Sequence, residues 1–175
     1  TTNTQRLITS HDGDQMYPAV SAEGKIVVAD RRGSSGNSWN VYLYDLNTNT
    51  EKRLTSQTLA ASPTHISISG NYVVWIERNS AGYLHLYLYN LLTDKLTQLT
   101  SYPSEQFYSS ISGSGVVWVD TRNKVSGDSQ YQYNSDIYYA DISPIISSLN
   151  PINKFASILQ SLSEMLKTLQ QIVNK

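Results

Sequence analysis

The chain has 175 residues, of which 39% are hydrophobic and 15% are charged, and its formal net charge is −1. This composition is too apolar for a disordered chain, and the sequence has no run of about 18 apolar residues that would span a bilayer. It also has no basic stripe of the kind that contacts nucleic acid. We therefore expect neither a nucleic-acid partner nor a membrane span in this chain.

The chain has no cysteine, 13 tyrosines and 3 tryptophans. Without cysteine it has neither a disulfide framework nor thiolate chemistry. This composition favours a secreted or surface protein, and a sequence that starts at Thr1 instead of Met indicates a processed or trimmed end. We therefore expect an extracellular or cell-surface location, which includes the surface of a virion.

The first predicted element is a short strand over residues 5–10, and it recurs. Similar segments stand at residues 52–56 and 97–101, so the copies are about 45 residues apart. A polar link and a short strand ending in serine follow each copy, at residues 17–21, 64–69 and 107–112. A glycine-containing turn comes next, and glycine supplies the positive φ that hairpin turns need.

Two further strands complete each copy. An apolar strand covers residues 25–31, 72–78 and 116–122, and a tyrosine-rich strand covers residues 40–46, 85–91 and 136–142. These strands are apolar on both faces, which indicates that both faces are covered. Four short strands in about 45 residues match the blade of a β-propeller. The sequence therefore predicts an all-β chain of three four-stranded blades.

The repeat resembles that of the TolB-like β-propeller family, over about residues 5–142. The motifs that carry the resemblance are Leu-Thr-Ser at 54–56, Ser-Gly at 69–70, Val-Val-Trp at 73–75, Glu-Arg at 77–78 and Tyr-Leu-Tyr-Asn-Leu at 87–91. The resemblance implies a six-bladed, extracytoplasmic protein that serves binding and scaffolding. The sequence departs from the pattern at Val28, where the other copies have Trp75 and Trp118, at Asn90, where the family prefers Asp, and in an enlarged loop over residues 123–135.

The strand count leaves both ends of the repeat array open. The strand over residues 5–10 has no blade of its own, and the third copy lacks its last strand because Ser143 and Pro144 interrupt the chain. An ordinary propeller has about 4–8 blades, so three blades would be half of a six-bladed ring. One hypothesis is that two copies close the ring, with Leu7 and Ile8 of each chain completing the last blade of the other. The alternative is that the sequence is a piece of a longer chain.

The composition changes after Pro144. Asn150 and Pro151 are typical of a helix N-cap followed by proline at the first helical position. Apolar residues then recur at gaps of three and four, which predicts an amphipathic helix with an a/d seam. The seam residues are Ile152, Phe155, Leu159, Leu162, Leu166, Leu169 and Val173.

This helix is the strongest functional signal in the sequence. Ile158, Met165 and Ile172 widen its apolar stripe, and a stripe of that width in water promotes association. We predict that it assembles the chain into a homo-oligomer, a dimer or larger. Two alternatives stay open, namely docking on the chain's own blades and a stalk before a membrane anchor. The predicted domains are thus the blades, residues 1–143, and an assembly helix, residues 144–175.

Nothing in the sequence predicts catalysis, a metal or a cofactor. His11, His65 and His85 occupy non-equivalent places in their repeats, and no nucleophile motif accompanies them. Residues 11–14, His-Asp-Gly-Asp, lack the further oxygen ligands of a calcium loop and indicate a turn. Charged pairs recur after the second strand of each repeat, and we expect them to bridge neighbouring blades instead of lining a ligand channel. The pairs are Asp30 with Arg31, Glu77 with Arg78, and Asp120 with Arg122.

The enlarged loop is the candidate partner-binding loop, with Asp128, Tyr131 and Tyr133 as its candidate contact residues. We predict a non-catalytic structural and binding module of a coat, filament, appendage or virion spike, whose blades present loops to other surface proteins. Two alternatives stay open. One is an accessory propeller that gates a peptidase, and the other is a carbohydrate-binding propeller whose tyrosines stack on sugars.

Overall fold

The computed structural model describes residues 4–32, 39–55, 63–123, 135–149 and 151–173. The chain divides into two compact units, Thr1–Ala140 and Asp141–Lys175. The first unit holds the β-sheets, and the second unit holds the helices.

Three antiparallel sheets form the first unit, and we call them blades 1, 2 and 3. Within each blade every strand pairs with the next strand along the chain. Blade 1 contains β1 (Gln15–Val20), β2 (Lys25–Asp30), β3 (Asn40–Asp45) and β4 (Thr50–Arg53). Blade 2 contains β5 (Thr64–Ser69), β6 (Tyr72–Arg78), β7 (Leu84–Asn90) and β8 (Lys95–Gln98). Blade 3 contains β9 (Gln106–Ser112), β10 (Gly115–Asp120) and β11 (Asp136–Asp141). The predicted blade architecture is therefore confirmed.

Tight turns connect the first two strands of each blade. Gly24, Gly70 and Gly113 stand in these turns with φ of +75°, +55° and +57°, a conformation that glycine adopts without strain. In blade 1 the N–H of Gly24 donates to the carbonyl of Ser21 at 3.1 Å, and its own carbonyl accepts from the N–H of Leu46 at 3.0 Å. The hairpins that the sequence predicts are confirmed at all three places.

The core lies between the blades. Val27 and Val41 of blade 1 pack in one buried cluster with Val73 and Trp75 of blade 2. All four residues from Val73 to Ile76 are 0% exposed, so both faces of β6 are covered. Burying an apolar side chain of this size completely contributes about 1.5–3 kcal/mol. The unbroken apolar run of β6 thus follows from its position in the middle blade.

Polar side chains also bridge blades 1 and 2 at their surface. The ammonium of Lys25 donates to Oδ1 of Asn71 at 2.7 Å. Lys52 forms an exposed ion pair with Asp94 at 2.5 Å. Each of these contacts joins a strand of blade 1 to a turn of blade 2.

The ends of the repeat array differ from the middle. Blade 3 has three strands, and the part of the chain that the structure describes supplies no fourth strand beside β11. Residues 5–10 do not form a strand, although the sequence pattern predicts one. A strand requires a paired neighbour, and within the described residues this segment has none. Exchange of this segment between two copies stays a prediction.

Two helices follow the blades, α1 (Ser143–Leu149) and α2 (Pro151–Val173). The sequence predicts only an interruption at Ser143 and Pro144, but α1 begins there. Proline is tolerated in the first turn of a helix, and the Asp141 carboxylate accepts the N–H of Ser143 at 2.9 Å as a cap. Helix α2 begins at Pro151, as predicted. Neither helix, over its described residues, is long and apolar enough to cross a membrane.

Candidate functional site

The first strands of the three blades carry an aromatic residue at the same position. Tyr17 in β1, His65 in β5 and Tyr108 in β9 have φ of 54°, 52° and 52°. Bulky residues rarely adopt this left-handed conformation. The strand pairing of each blade shifts register at this point, so the positive φ belongs to a β-bulge. Such strain costs about 1–3 kcal/mol per residue and is concentrated at functional sites.

The side chains of these three residues, which we call the aromatic row, contact one another across the blades. The ring centroids of Tyr17 and His65 are 6.2 Å apart, and those of His65 and Tyr108 are 4.5 Å apart with an edge-to-face geometry. Tyr17 is 37% exposed and Tyr108 is 68% exposed. Burial lowers the pKa of His65, so its imidazole is uncharged near pH 7. The aromatic row is therefore an uncharged, partly exposed surface built from all three blades.

The sequence analysis missed the aromatic row because it compared His65 with the other histidines. The available signal was position within the repeat. Each member of the row stands four residues before the last serine of its first strand, namely Ser21, Ser69 and Ser112. The three copies share the backbone bulge but not the residue type, so a comparison of residue identities among the copies does not reveal the aromatic row.

The second strands of blades 2 and 3 carry a carboxylate near their ends, and this carboxylate accepts a hydrogen bond from a tryptophan of the same strand. The indole Nε1 of Trp75 donates to Oε2 of Glu77 at 2.7 Å, and that of Trp118 donates to Oδ2 of Asp120 at 3.2 Å. Residues two apart on a strand share a face, which explains the Trp-x-Asp/Glu spacing. Burial raises the pKa of Glu77, and the hydrogen bond from Trp75 opposes this effect.

Asp120 is fully buried and is held by several donors. Its Oδ1 accepts from Ser104 Oγ at 2.7 Å and from the backbone N–H of Arg122 at 2.8 Å, and its Oδ2 accepts from Arg122 Nη2 at 2.5 Å. The guanidinium of Arg122 lies over the ring of Tyr138, 3.9 Å from its centroid. Burial alone would raise the pKa of Asp120, but these hydrogen bonds outweigh it and hold the pKa at about 2. Asp120 is therefore a structural anion that stays ionised at neutral pH.

In blade 1 the donor is the arginine two residues after the carboxylate, as Arg122 is for Asp120 in blade 3. Asp30 accepts from Nε of Arg32 at 2.8 Å, whereas Arg31 pairs with Asp14 at 2.6 Å. Val28 stands where the other blades have tryptophan and has no side-chain N–H to donate, so Asp30 lacks the indole donor that Glu77 and Asp120 have.

The expectation that these charged residues bridge blades holds for one of them. Arg78 lies 3.4 Å from Glu105, which directly precedes the first strand of blade 3. Asp30 and Asp120 instead form ion pairs inside their own blades, at the ends of β2 and β10. Buried pairs of this kind fix the local conformation, so we assign them to structure and not to a ligand channel.

The remaining histidines also have structural partners. His85 is 3% exposed; its Nε2 donates to the carbonyl of Tyr102 at 3.0 Å, and its Nδ1 accepts from Gln98 at 2.7 Å. His11 lies at the surface, 3.3 Å from Glu51. Among the residues that the structure describes, no group of three or more His, Asp or Glu side chains is arranged to hold a metal ion.

The apolar stripe predicted on α2 is exposed. Seven side chains of the stripe between positions 155 and 169 have exposed fractions from 48% to 66%. Ile152 and Val173 also lie on α2, but their side chains are outside the described part of the structure. The seven described members are Phe155, Ile158, Leu159, Leu162, Met165, Leu166 and Leu169.

The other predicted site residues fall at the edges of what the structure describes. Leu7 is 79% exposed, whereas Ile8 is partly buried and lines an apolar groove of about 320 Å³ on blade 1 together with Met16, Ile26 and Val28. Residues 124–134 of the predicted partner-binding loop lie outside the described residues, and they include its three candidate contacts, Asp128, Tyr131 and Tyr133.

Comparison with known proteins identifies the fold. No protein-family model matches the sequence, and no curated protein matches it. Among solved structures, the chain is similar to TolB from Acinetobacter baumannii, with a TM-score of 0.56 and 19% identity over 78% of this chain and 32% of that one. It is also similar to a structure assigned as TolB from Agrobacterium tumefaciens, with a TM-score of 0.59 and 16% identity over 78% of this chain and 48% of that one.

A third similar structure is the tricorn protease, with a TM-score of 0.61 and 15% identity over 81% of this chain and 15% of that one. The chain thus spans less than half the length of each of these proteins. At this level of identity the likeness shows the fold. The three blades of this chain have the fold of a TolB-like β-propeller.

Proposed function

We propose that this chain is a non-catalytic structural and binding module of an extracellular or cell-surface assembly, and that α2 joins the subunits. The observation that carries this proposal is the exposed apolar stripe of α2. Its described side chains extend from Phe155 to Leu169, a rise of about 21 Å along the helix. A stripe of this length in water is stabilised by association, since packing against another helix removes it from solvent.

The blades supply the binding surface in this proposal. Their first strands present the aromatic row, and their loops present polar side chains to other surface proteins. A cysteine-free, tyrosine-rich composition supports a location outside the cytoplasm, and the likeness to TolB structures agrees with it. We propose that a second copy of the chain and other surface proteins are its partners.

Two charges placed in the stripe test the role of the helix. We expect Leu162→Glu combined with Leu166→Glu to lower the native mass measured by light scattering, because two carboxylates would be buried at the helix contact. Gln160→Glu combined with Gln171→Glu adds the same charge away from the stripe and should leave the mass unchanged. Deletion of residues 150–175 should act like the first pair. A native mass that neither the stripe pair nor the deletion changes would refute assembly through α2.

A second candidate function is carbohydrate binding, which the aromatic row favours. Tyrosine rings stack on the apolar faces of sugars, and Tyr108 is exposed. A glycan array probed with the full chain tests this function, with Tyr108→Ala as the control for specificity. Binding that the variant loses would support it, and an array without signal would count against it.

A third candidate is an accessory propeller of a peptidase, which the likeness to the tricorn protease favours. In this case the blades would gate access to an active site on another domain. A peptidase domain with a Gly-x-Ser-x-Gly motif in the same gene would support this candidate. A gene that encodes no such domain would count against it.

A further inference from the structure

Serine hydroxyls join the first strands of blades 2 and 3. Ser67 Oγ accepts the N–H of Ile111 at 3.2 Å, and Ser69 Oγ accepts the N–H of Gly113 at 3.0 Å. The two hydroxyls of β5 thus accept hydrogen bonds from one backbone N–H of β9 and from one in the turn that follows β9. This blade joint is specific in its hydrogen bonds as well as in its packing.

Blade 3 presents the same hydroxyls on its other side. Ser110 and Ser112 are the repeat counterparts of Ser67 and Ser69, since Ser112 directly precedes its turn glycine as Ser69 does. Both are exposed, and neither forms a side-chain hydrogen bond with any residue that the structure describes. They line an open groove of about 490 Å³. Blade 3 therefore offers acceptors for the first strand of a following blade.

The apolar side chains around this groove lead to the same conclusion. Val117, Ile137 and Tyr139 are 39%, 73% and 65% exposed. Their repeat counterparts in blade 2 are 0–1% exposed, because β6 and β7 pack against β9 of the next blade. These counterparts are Val74, Leu86 and Leu88. Within the described residues no further blade packs on this face of blade 3, and the face has the composition of a blade joint.

Blade 1 carries the complementary face. Val20 is 65% exposed, whereas its counterparts Ile68 and Ile111 are 8% and 6% exposed. The N–H of Ser21 bonds back to the carbonyl of Lys25 at 2.9 Å. Because N–H directions alternate along a strand, the N–H of Val20 points away from β2, as the N–H of Ile111 points away from β10. Blade 1 therefore offers the donors that match the hydroxyls of blade 3.

The N-terminal segment is already placed as the end of a preceding blade. Thr9 Oγ1 donates to Oε1 of Gln15 at 3.3 Å, and its counterpart Thr100 donates to Oε1 of Gln106 at 2.8 Å. Residues 5–10 thus lie beside blade 1 as the end of blade 2 lies beside blade 3. Among the described residues no strand pairs with this segment.

We propose that the open face of blade 3 binds the open face of blade 1 in a second copy of this chain. Ser110 and Ser112 accept the N–H groups of the partner subunit's Val20 and the partner subunit's Ala22. The N–H of the partner subunit's Ile8 donates to the carbonyl of Ile137. An equivalent bond exists in blade 2, where the N–H of Leu99 donates to the carbonyl of Leu86 at 2.8 Å. Leu99 is the repeat counterpart of Ile8, and Leu86 is that of Ile137.

The occupant is a second copy because this chain carries both faces of the contact, one on blade 3 and one on blade 1. The contact between two copies would repeat the one that blades 2 and 3 already form within the chain. A head-to-tail contact of this kind closes when the rotation permits it. Two copies give six blades, which lies within the range of about 4–8 for propellers, whereas three copies give nine. Closure would also place the partner subunit's Tyr17 next to Tyr108 and so extend the aromatic row around the ring.

The test separates this joint from association through α2. In a background of Leu162→Glu and Leu166→Glu, which removes the stripe contact and with it the species larger than a dimer, sedimentation velocity should still find a dimer. Adding Ser110→Arg, which fills the groove with a charged side chain, should halve the mass. Ser101→Arg changes an exposed serine outside both faces and should leave the dimer intact. Ile8→Pro, which removes the N–H donor, should also give a monomer.

Hydrogen exchange provides a second readout at the other end of the joint. Peptides that cover residues 17–22 should be protected in the dimer and lose that protection when Ser110→Arg is added. A monomer in the background without Ser110→Arg would overturn the proposal, and so would a dimer that both Ser110→Arg and Ile8→Pro leave intact.

Discussion

Asp120→Asn is expected to destabilise the blades in a way that depends on pH. The pKa of Asp120 is about 2 against an ordinary value of 3.8, and each pH unit of difference corresponds to about 1.4 kcal/mol. Because the folded state holds this pKa down, the stabilisation of about 2 kcal/mol is present above pH 4 and is lost as the pH falls towards 2. Asparagine carries no charge, so the variant lacks this contribution at every pH.

Urea unfolding followed by tryptophan fluorescence measures the effect. At pH 7 the variant should unfold with a free energy at least about 2 kcal/mol below that of the wild type, and about half of this charge-dependent difference should be gone at pH 3. Asp12→Asn, which removes an exposed carboxylate, should change the free energy of unfolding by less than about 0.5 kcal/mol at both pH values. A difference for Asp120→Asn that stays constant between pH 7 and pH 3 would refute the assignment of a stabilising buried anion.

Three further substitutions test the contacts inside the blades. Trp75→Phe keeps a buried ring but leaves a cavity and removes the hydrogen-bond donor to Glu77. The free energy of unfolding measured in urea should therefore fall by about 2 kcal/mol. A fall of less than about 0.5 kcal/mol would contradict the contact between Trp75 and Glu77. His65→Tyr gives blade 2 the tyrosine that blades 1 and 3 have at this position of the aromatic row. Because burial lowers the pKa of His65, the unfolded protein binds a proton at this residue at a higher pH than the folded protein does, so protonation below about pH 6.5 favours unfolding. The Tm of the wild type should therefore fall more between pH 7.5 and 5.5 than that of the variant. Equal falls in Tm would contradict the burial of His65. Ser67→Ala leaves the N–H of Ile111 without its acceptor and should cost about 1 kcal/mol in the same urea assay, whereas Ser114→Ala, in a turn, should cost much less.

Local patterns predicted the blades well. Turn glycines such as Gly24 and the β-branched runs around Val73 act within a few residues, so the repeat placed the hairpins and strands close to their observed bounds. Proline at position 151 likewise located the start of α2. The strands end before Ser143 and Pro144, as expected, but α1 was not predicted, because proline is compatible with a first helical turn and the cap from Asp141 is not apparent in the residue pattern.

Properties that depend on the path of the chain in space were not predicted from the sequence. The charged pairs were expected to bridge neighbouring blades, but the carboxylate of Asp30 accepts a hydrogen bond from Arg32, two residues on, inside its own blade. The aromatic row depends on a register shift between paired strands, and no single residue type marks it. Its members are identified by the bulge that Tyr17 and its two counterparts share at the same position of the repeat.

The native mass of the full chain, measured by light scattering over a wide range of concentrations, tests the central claim most directly. One chain has a mass of 19.6 kDa. If α2 and the open blade faces both join copies, the smallest species should be a dimer and larger species should contain an even number of chains. A single species of 19.6 kDa at every concentration would contradict both the assembly helix and the joint between blades 3 and 1.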